Sequence, residues 1–136
     1  MSKKLCILDR YLWGNDTLPW TEEHMQIAIV EQLRKRERLG GFTFAADMNA
    51  GRRSKKLGAK LKLTGLTPGE ADLRFYLNDG RLGMVELKTK KGTVSKAQKD
   101  RHVLLRSLGH DVRVVKAACP QDAVDQVLKI LDEWIS

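Results

Sequence analysis

Between Asp72 and Lys88 the chain alternates apolar and polar residues. DLRFYL places Asp72, Arg74 and Tyr76 on one side and Leu73, Phe75 and Leu77 on the other. MVELK places Met84, Glu86 and Lys88 on one side and Val85 and Leu87 on the other. A period of two predicts strands, each with one apolar and one chemical face. Asn78-Asp79-Gly80 suits a three-residue hairpin loop, a type I turn followed by left-handed Gly80. That loop sets residue 77 opposite 81, 75 opposite 83, 73 opposite 85 and 72 opposite 86. A two-residue loop at Asp79-Gly80 would set Asp72 against Leu87 and mix the faces, so the pattern selects the longer loop. Asp72 and Glu86 then become cross-strand neighbours, about 5 Å apart at Cβ.

The rest of the pattern supplies elements around this hairpin. Thr21 caps a helix from Glu22 to about Arg38, in which Met25, Ile29 and Leu33 repeat at four beside Ala28. Ile27 and Val30 widen its apolar surface, which predicts burial against more than one partner; part of the excess suits a dimer face. Gly40-Gly41 stops this helix, and Gly41 to Ala46 reads as a strand. Gly51 to Thr64 reads as a helix with a narrow stripe at Leu57 and Leu61, and residues 65–70 form a loop leading into Asp72. Ser95 begins a helix to about Leu108, with Val103, Leu104 and Leu108 inward and Gly109 as its stop. Val112 to Val115 is a further strand. Pro120 opens a closing helix that buries Ala123, Val127, Ile130, Leu131 and Trp134. Residues 1–20 form an N-terminal extension. In it Lys4 to Trp13 suits a short strand, Gly14-Asn15-Asp16 a turn, and Trp13, Leu18 and Trp20 a cap on the core edge. The order predicts an α/β fold, a mixed central sheet flanked by helices.

With 136 residues the chain is expected to form a single domain, 1–136. A net charge of +8 points to a polyanionic partner, nucleic acid first. Much of that charge is concentrated in Arg52, Arg53, Lys55, Lys56, Lys60 and Lys62, with no acid among them. Such a run can be a solvated helix face. Like charges without partners one turn away repel, however, so a phosphate backbone explains the run better. Cys6 and Cys119 are too few for a disulfide framework, and no Cys/His spacing suits zinc. Neither a signal peptide nor a membrane-spanning stretch is evident, which makes a cytoplasmic location and no membrane partner the expectation.

Two carboxylates side by side repel unless positive charge lies between them. Lys88 supplies part of it, and a divalent cation suits the remainder. Oxygen ligands from Asp72 and Glu86, completed by water, favour Mg²⁺ or Mn²⁺ over zinc. Such a site suits metal-assisted phosphodiester hydrolysis, with Lys88 stabilising the attacking hydroxide. Glu22 and Glu23 are explained by the helix dipole, and Ser95 with Gln98 by a capping box. Glu70 is either a carboxylate supporting the site or plain polar loop. His102, four residues after Gln98, is within reach of the site, but a surface or core-edge histidine is the preferred reading.

In order, Asp72, Glu86-Leu87-Lys88 and Ser95-Lys96-Ala97-Gln98 resemble the D…ExK…Q signature of the PD-(D/E)XK nucleases. Gly65, Gly69, Asp72-Leu73, Lys91-Gly92 and Gly109 narrow the resemblance to the VRR-NUC family, from about Thr21 onward. The family usually carries Pro directly before the Asp. Ala71 stands there instead, with Pro68 three positions earlier, so the start of that strand is expected to differ. The resemblance implies Asp72 and Glu86 as metal ligands, with the Val85 or Leu87 carbonyl as an extra one. It implies Lys88 and Gln98 as catalytic residues and adds Glu22, with Glu23 as the fallback, as a helix-borne acid. Lys90, Lys91 and Lys96 join Arg52, Arg53, Lys55, Lys56 and Lys60 as expected DNA contacts. Stand-alone members resemble Holliday-junction resolvases, which implies a homodimer acting on four-way DNA junctions in a bacterial or phage-infected cell. A flap, nicking or restriction-type nuclease and a non-catalytic nucleic-acid-binding module are the alternatives.

Overall fold

The structure, a computed structural model, describes residues 19–47 and 55–136. The expected strand and turn of the N-terminal extension, together with Arg52 and Arg53, lie outside the described residues. In order, the elements are α1 (Glu22–Glu37), β1 (Phe42–Ala46), α2 (Lys55–Leu63), β2 (Leu73–Leu77), β3 (Leu82–Thr89), α3 (Lys96–Ser107), β4 (Asp111–Ala117) and α4 (Pro120–Ile135).

Thr21 caps α1 as expected: its hydroxyl accepts the His24 amide at 3.1 Å, and the His24 ring accepts the Thr21 amide in return. The four strands stand in the order β1-β2-β3-β4. The first two pairings are antiparallel and β3–β4 is parallel, so the sheet is mixed. The β2–β3 register sets Leu73 opposite Val85 and Phe75 opposite Gly83, as the hydrophobic pattern requires. The turn differs in detail. Asp79 as well as Gly80 is left-handed, at φ 64° and 71°. Asp tolerates that region, and a primed turn follows the strands' own twist better than a type I turn does.

One face of the sheet carries the main core. Met25, Ile29 and Leu33 of α1 and Ala123, Val127, Leu131 and Trp134 of α4 pack on Phe44, Phe75, Val85, Leu87 and Val115. The opposite face has a smaller core in which Leu105 of α3 meets Ala71, Met84 and Val112. Here the expected inward face of α3 is corrected: Val103, Leu104 and Leu108 are exposed, whereas His102 and Leu105 are buried. The helix lies over the chemical face of the sheet, so a polar side chain points in and three apolar ones point out. Ile27 on α1 is likewise half exposed, while Val30 packs against the core.

Candidate active site

β3 lies between β2 and β4 and is buried from Gly83 to Lys88. Its even-numbered residues face α3. The row starts with Met84 in the small core and continues to Glu86, 1% exposed, and Lys88, 8% exposed. Charged groups this deep need compensation from one another or from a ligand.

Asp72 lies just ahead of β2, after fully buried Ala71. Its Oδ2 accepts the Leu87 amide at 2.6 Å, and its carbonyl accepts the Asp47 amide at 2.8 Å. Despite Ala71 in place of Pro, Asp72 is therefore held beside Glu86. The Asp72 carboxylate acts directly on the Glu86 carboxyl. Burial, then the neighbouring Asp72 carboxylate, push the Glu86 carboxyl up to about 9, with Lys88 pulling the other way. Glu22, in the first turn of α1, lies in the field of Lys88 and Asp72. Burial raises its pKa, Lys88 opposes the rise and Asp72 adds to it.

Gln98 makes the expected capping box. Its side-chain oxygen accepts the Ser95 amide at 2.9 Å, and its own amide donates to the Ser95 hydroxyl at 3.2 Å. Any part it takes in the site falls to its side-chain NH₂ donors.

His102 is no surface residue: of the two readings the sequence allows, the structure places it beside the site. It is 2% exposed, with its Nε2 3.4 Å from Glu86 Oε1. Burial, then Arg106 and Lys88, lower its pKa, so the ring is neutral at pH 7. The available signal was its spacing from Leu105, the residue that anchors α3. Glu70 pairs with Arg101 at 3.2 Å and Arg74 at 3.8 Å, and Arg74 pairs with Asp47 at 2.9 Å. This half-buried chain ties the loop before Asp72 to both β2 and α3. Arg101 is thus paired with Glu70. Lys96 pairs with Asp100 at 2.9 Å on the surface. Lys90 and Lys91 are exposed in the turn after β3, and Lys60 is exposed on α2. Lys55 and Lys56 open α2, but their side chains lie outside the described residues.

The donor set fits a hard divalent cation. Glu86 Oε1 is buried with no hydrogen-bond partner. Asp72 and Glu86 act on each other as like charges, and a proton or a cation between them relieves that repulsion. Among the described residues no group of three or more His, Cys, Asp and Glu side chains is gathered to hold a metal. A small all-oxygen set completed by a backbone carbonyl and water is the pattern Mg²⁺ uses.

No family model matches the sequence, and no curated protein matches it. Solved structures do. A chain titled "VRR_NUC domain protein" superposes with a TM-score of 0.59 at 20% identity, covering 88% of this chain and 91% of that one. A second, titled "VRR_NUC domain", gives 0.52 at 23% identity, over 83% and 96%. The chain has the VRR-NUC fold. At this identity the likeness is one of architecture. The VRR-NUC fold here consists of the mixed four-stranded sheet with α1 and α4 on one face and α3 on the other. Among the described residues no helix is long and apolar enough to cross a membrane.

Proposed function

We propose that this protein is a divalent-metal-dependent DNA endonuclease of the PD-(D/E)XK type. The observation that carries the reading is Asp72 fastened to the Leu87 amide beside buried Glu86, with Lys88 two residues along the same strand face. A non-catalytic binder gains nothing from two carboxylates held where phosphate must approach. The VRR-NUC fold supports the same reading.

Asp72, Glu86 and the Leu87 carbonyl would hold Mg²⁺ or Mn²⁺. When bound, the ion supplies Lewis-acid polarisation of the phosphodiester and of water. Lys88 stabilises the hydroxide character of the attacking water and the charge that grows on the phosphate. Glu22 adds a carboxylate on the side of α1, and the Gln98 amide donors orient the scissile phosphate or the water. Lys90, Lys91, Lys96 and the basic α2 segment, from Arg52 and Arg53 through Lys55, Lys56 and Lys60, hold the DNA backbone.

The preferred substrate in this reading is a four-way junction cut by a homodimer, since symmetric cleavage needs two sites. The exposed apolar side chains Val103, Leu104 and Leu108 on α3 provide surface for such a dimer.

The test is cleavage of an end-labelled four-way junction beside linear duplex, flap and single strand. Each is incubated with Mg²⁺, Mn²⁺ or EDTA, for wild type and Glu86→Ala. Paired symmetric cuts in the junction, lost with EDTA or the variant, are expected. Metal-dependent cutting of another substrate keeps the chemistry and replaces the junction. Tight binding by folded wild type without any cleavage overturns the nuclease reading.

A further inference from the structure

Glu86 Oε1 and His102 Nε2 are both buried, and neither has a hydrogen-bond partner. They lie 3.4 Å apart, one on β3 and the other on α3. A buried polar atom without a partner is costly, and here two of them face each other. That expense has no structural use. Leu105, one turn further along α3, already anchors the helix to the sheet, and an apolar side chain at position 102 would pack there without it.

We propose that His102 is a positioning residue for Glu86: its Nε2–H donates to Oε1 of the metal-holding carboxylate and fixes the rotation of that group. The role rests on the metal-dependent reading above and goes beyond it. Carboxylates that ligate metals are themselves commonly anchored by a second hydrogen bond, and losing that anchor costs 10–100-fold in metal affinity. Here Oε1 of the carboxylate faces the imidazole, and the Asp72 charge acts on the same group. Without the His102 donor Oε1 of the buried Glu86 carboxylate has no fixed partner. The charged and polar groups around the ring suit a donor. Glu86 faces Nε2 directly, Asp72 and Glu70 lie within its field, and Lys88 and Arg106 favour its neutral form.

The experiment measures Mn²⁺ binding to the whole protein without DNA, by calorimetry and by loss of the free-ion paramagnetic resonance signal. Three proteins are compared: wild type, His102→Leu, which fills the space but cannot donate, and His102→Gln, which keeps an N–H near Nε2. Circular dichroism and thermal melting check that each is folded. Expected are a Kd at least tenfold weaker for the Leu variant and recovery of most of the loss by Gln. A folded Leu variant with wild-type affinity overturns the proposal, as does an equal loss in the Leu and Gln variants, which would mark a packing effect. If the Leu variant does not fold, the Gln variant against wild type decides, with a further His102→Met variant supplying the donor-free comparison. Wild type that binds no Mn²⁺ at all overturns the metal-dependent reading itself, and this inference with it. An independent readout is the ¹⁵N spectrum of the imidazole with Mg²⁺ bound. Protonated Nε2 is expected, and the opposite tautomer overturns the assignment.

Discussion

Asp72 Oδ2 accepts the backbone amide of Leu87 at 2.6 Å, so the first carboxylate is fastened to the strand that carries the second. The bond extends the β2–β3 register one step past its last paired residues, Leu73 and Val85. Backbone geometry, rather than flexible side chains, thus sets the separation between the two acids. Burial first, and then the nearness of Asp72, push the Glu86 carboxyl up to about 9.

A pH signature follows. The folded pKa of Glu86 lies above its ordinary value of 4.5. Its contribution to folding stability is therefore complete below about pH 4.5 and is lost as pH rises toward 9. Metal-free protein is expected to melt at lower temperature at pH 8.5 than at pH 5.5, and Glu86→Gln to flatten that decline. Metal binding displaces the same proton, so Mn²⁺ affinity should rise by up to about tenfold per pH unit in this range. Thermal melts in EDTA and calorimetry in buffers of differing ionisation enthalpy check both. Equal slopes for wild type and Glu86→Gln would remove Glu86 as the titrating group.

Lys88 is the positive group that moderates both Glu86 and Glu22. Lys88→Met keeps the length of the stem and deletes the charge. The turnover number on the preferred DNA is expected to fall by about 10²-fold or more, the usual loss when a group stabilising transition-state charge is removed. Binding measured in Ca²⁺, without turnover, should change little. A loss of binding equal to the loss of turnover would make Lys88 a DNA contact.

The legible parts of this chain were those fixed by local chemistry. Alternation in β2 and β3 gave the register because a one-residue slip would bury Asp72 and expose Leu73. Thr21 and Ser95 marked helix starts through their caps. Helix α3 was misread because three apolar residues, Val103, Leu104 and Leu108, outvoted His102. Its buried face is set by what lies beneath it, which includes Glu86, so the number of apolar residues alone picks the wrong side. The pairing of Glu70 with Arg101 was hidden for a similar reason: the partners are 31 residues apart. Lys88 and Glu86 were legible as chemistry, whereas their depth depends on strand β4 lying alongside.

Gly69 couples the loop before Asp72 to the start of α3. It has φ +82°, and a Cβ there would lie 2.3 Å from the Ala97 carbonyl oxygen. Gly69→Ala therefore meets both backbone strain and a collision with main-chain atoms that cannot swing away. The expected loss is roughly 2–4 kcal/mol, with a fall in turnover as Gln98 shifts. Gly65→Ala is the control, since φ is +107° there but nothing lies within 4 Å. It should cost less, by the collision alone. Urea unfolding of the two variants separates the contributions, and equal losses would mean that the contact with Ala97 is soft.

The basic segment before the hairpin is the last point at which charge and structure meet. Lys55 and Lys56 begin α2, Lys60 is exposed, and Arg52 and Arg53 immediately precede the helix in sequence. Each phosphate contact releases counterions and contributes about 0.9 to the slope of log affinity against log salt. Changing Arg52, Arg53, Lys55 and Lys56 to Ala together should flatten that slope by up to about 3–4 if all four lie on the backbone. Lys96→Ala, in contrast, should change it by less than a full contact, because Asp100 already partners that ammonium at 2.9 Å. Fluorescence anisotropy of labelled DNA across a salt series, with Ca²⁺ in place of Mg²⁺, gives both slopes. An unchanged slope in the quadruple variant would move the DNA track to the turn at Lys90 and Lys91, the exposed cations that follow Lys88 on the same strand end.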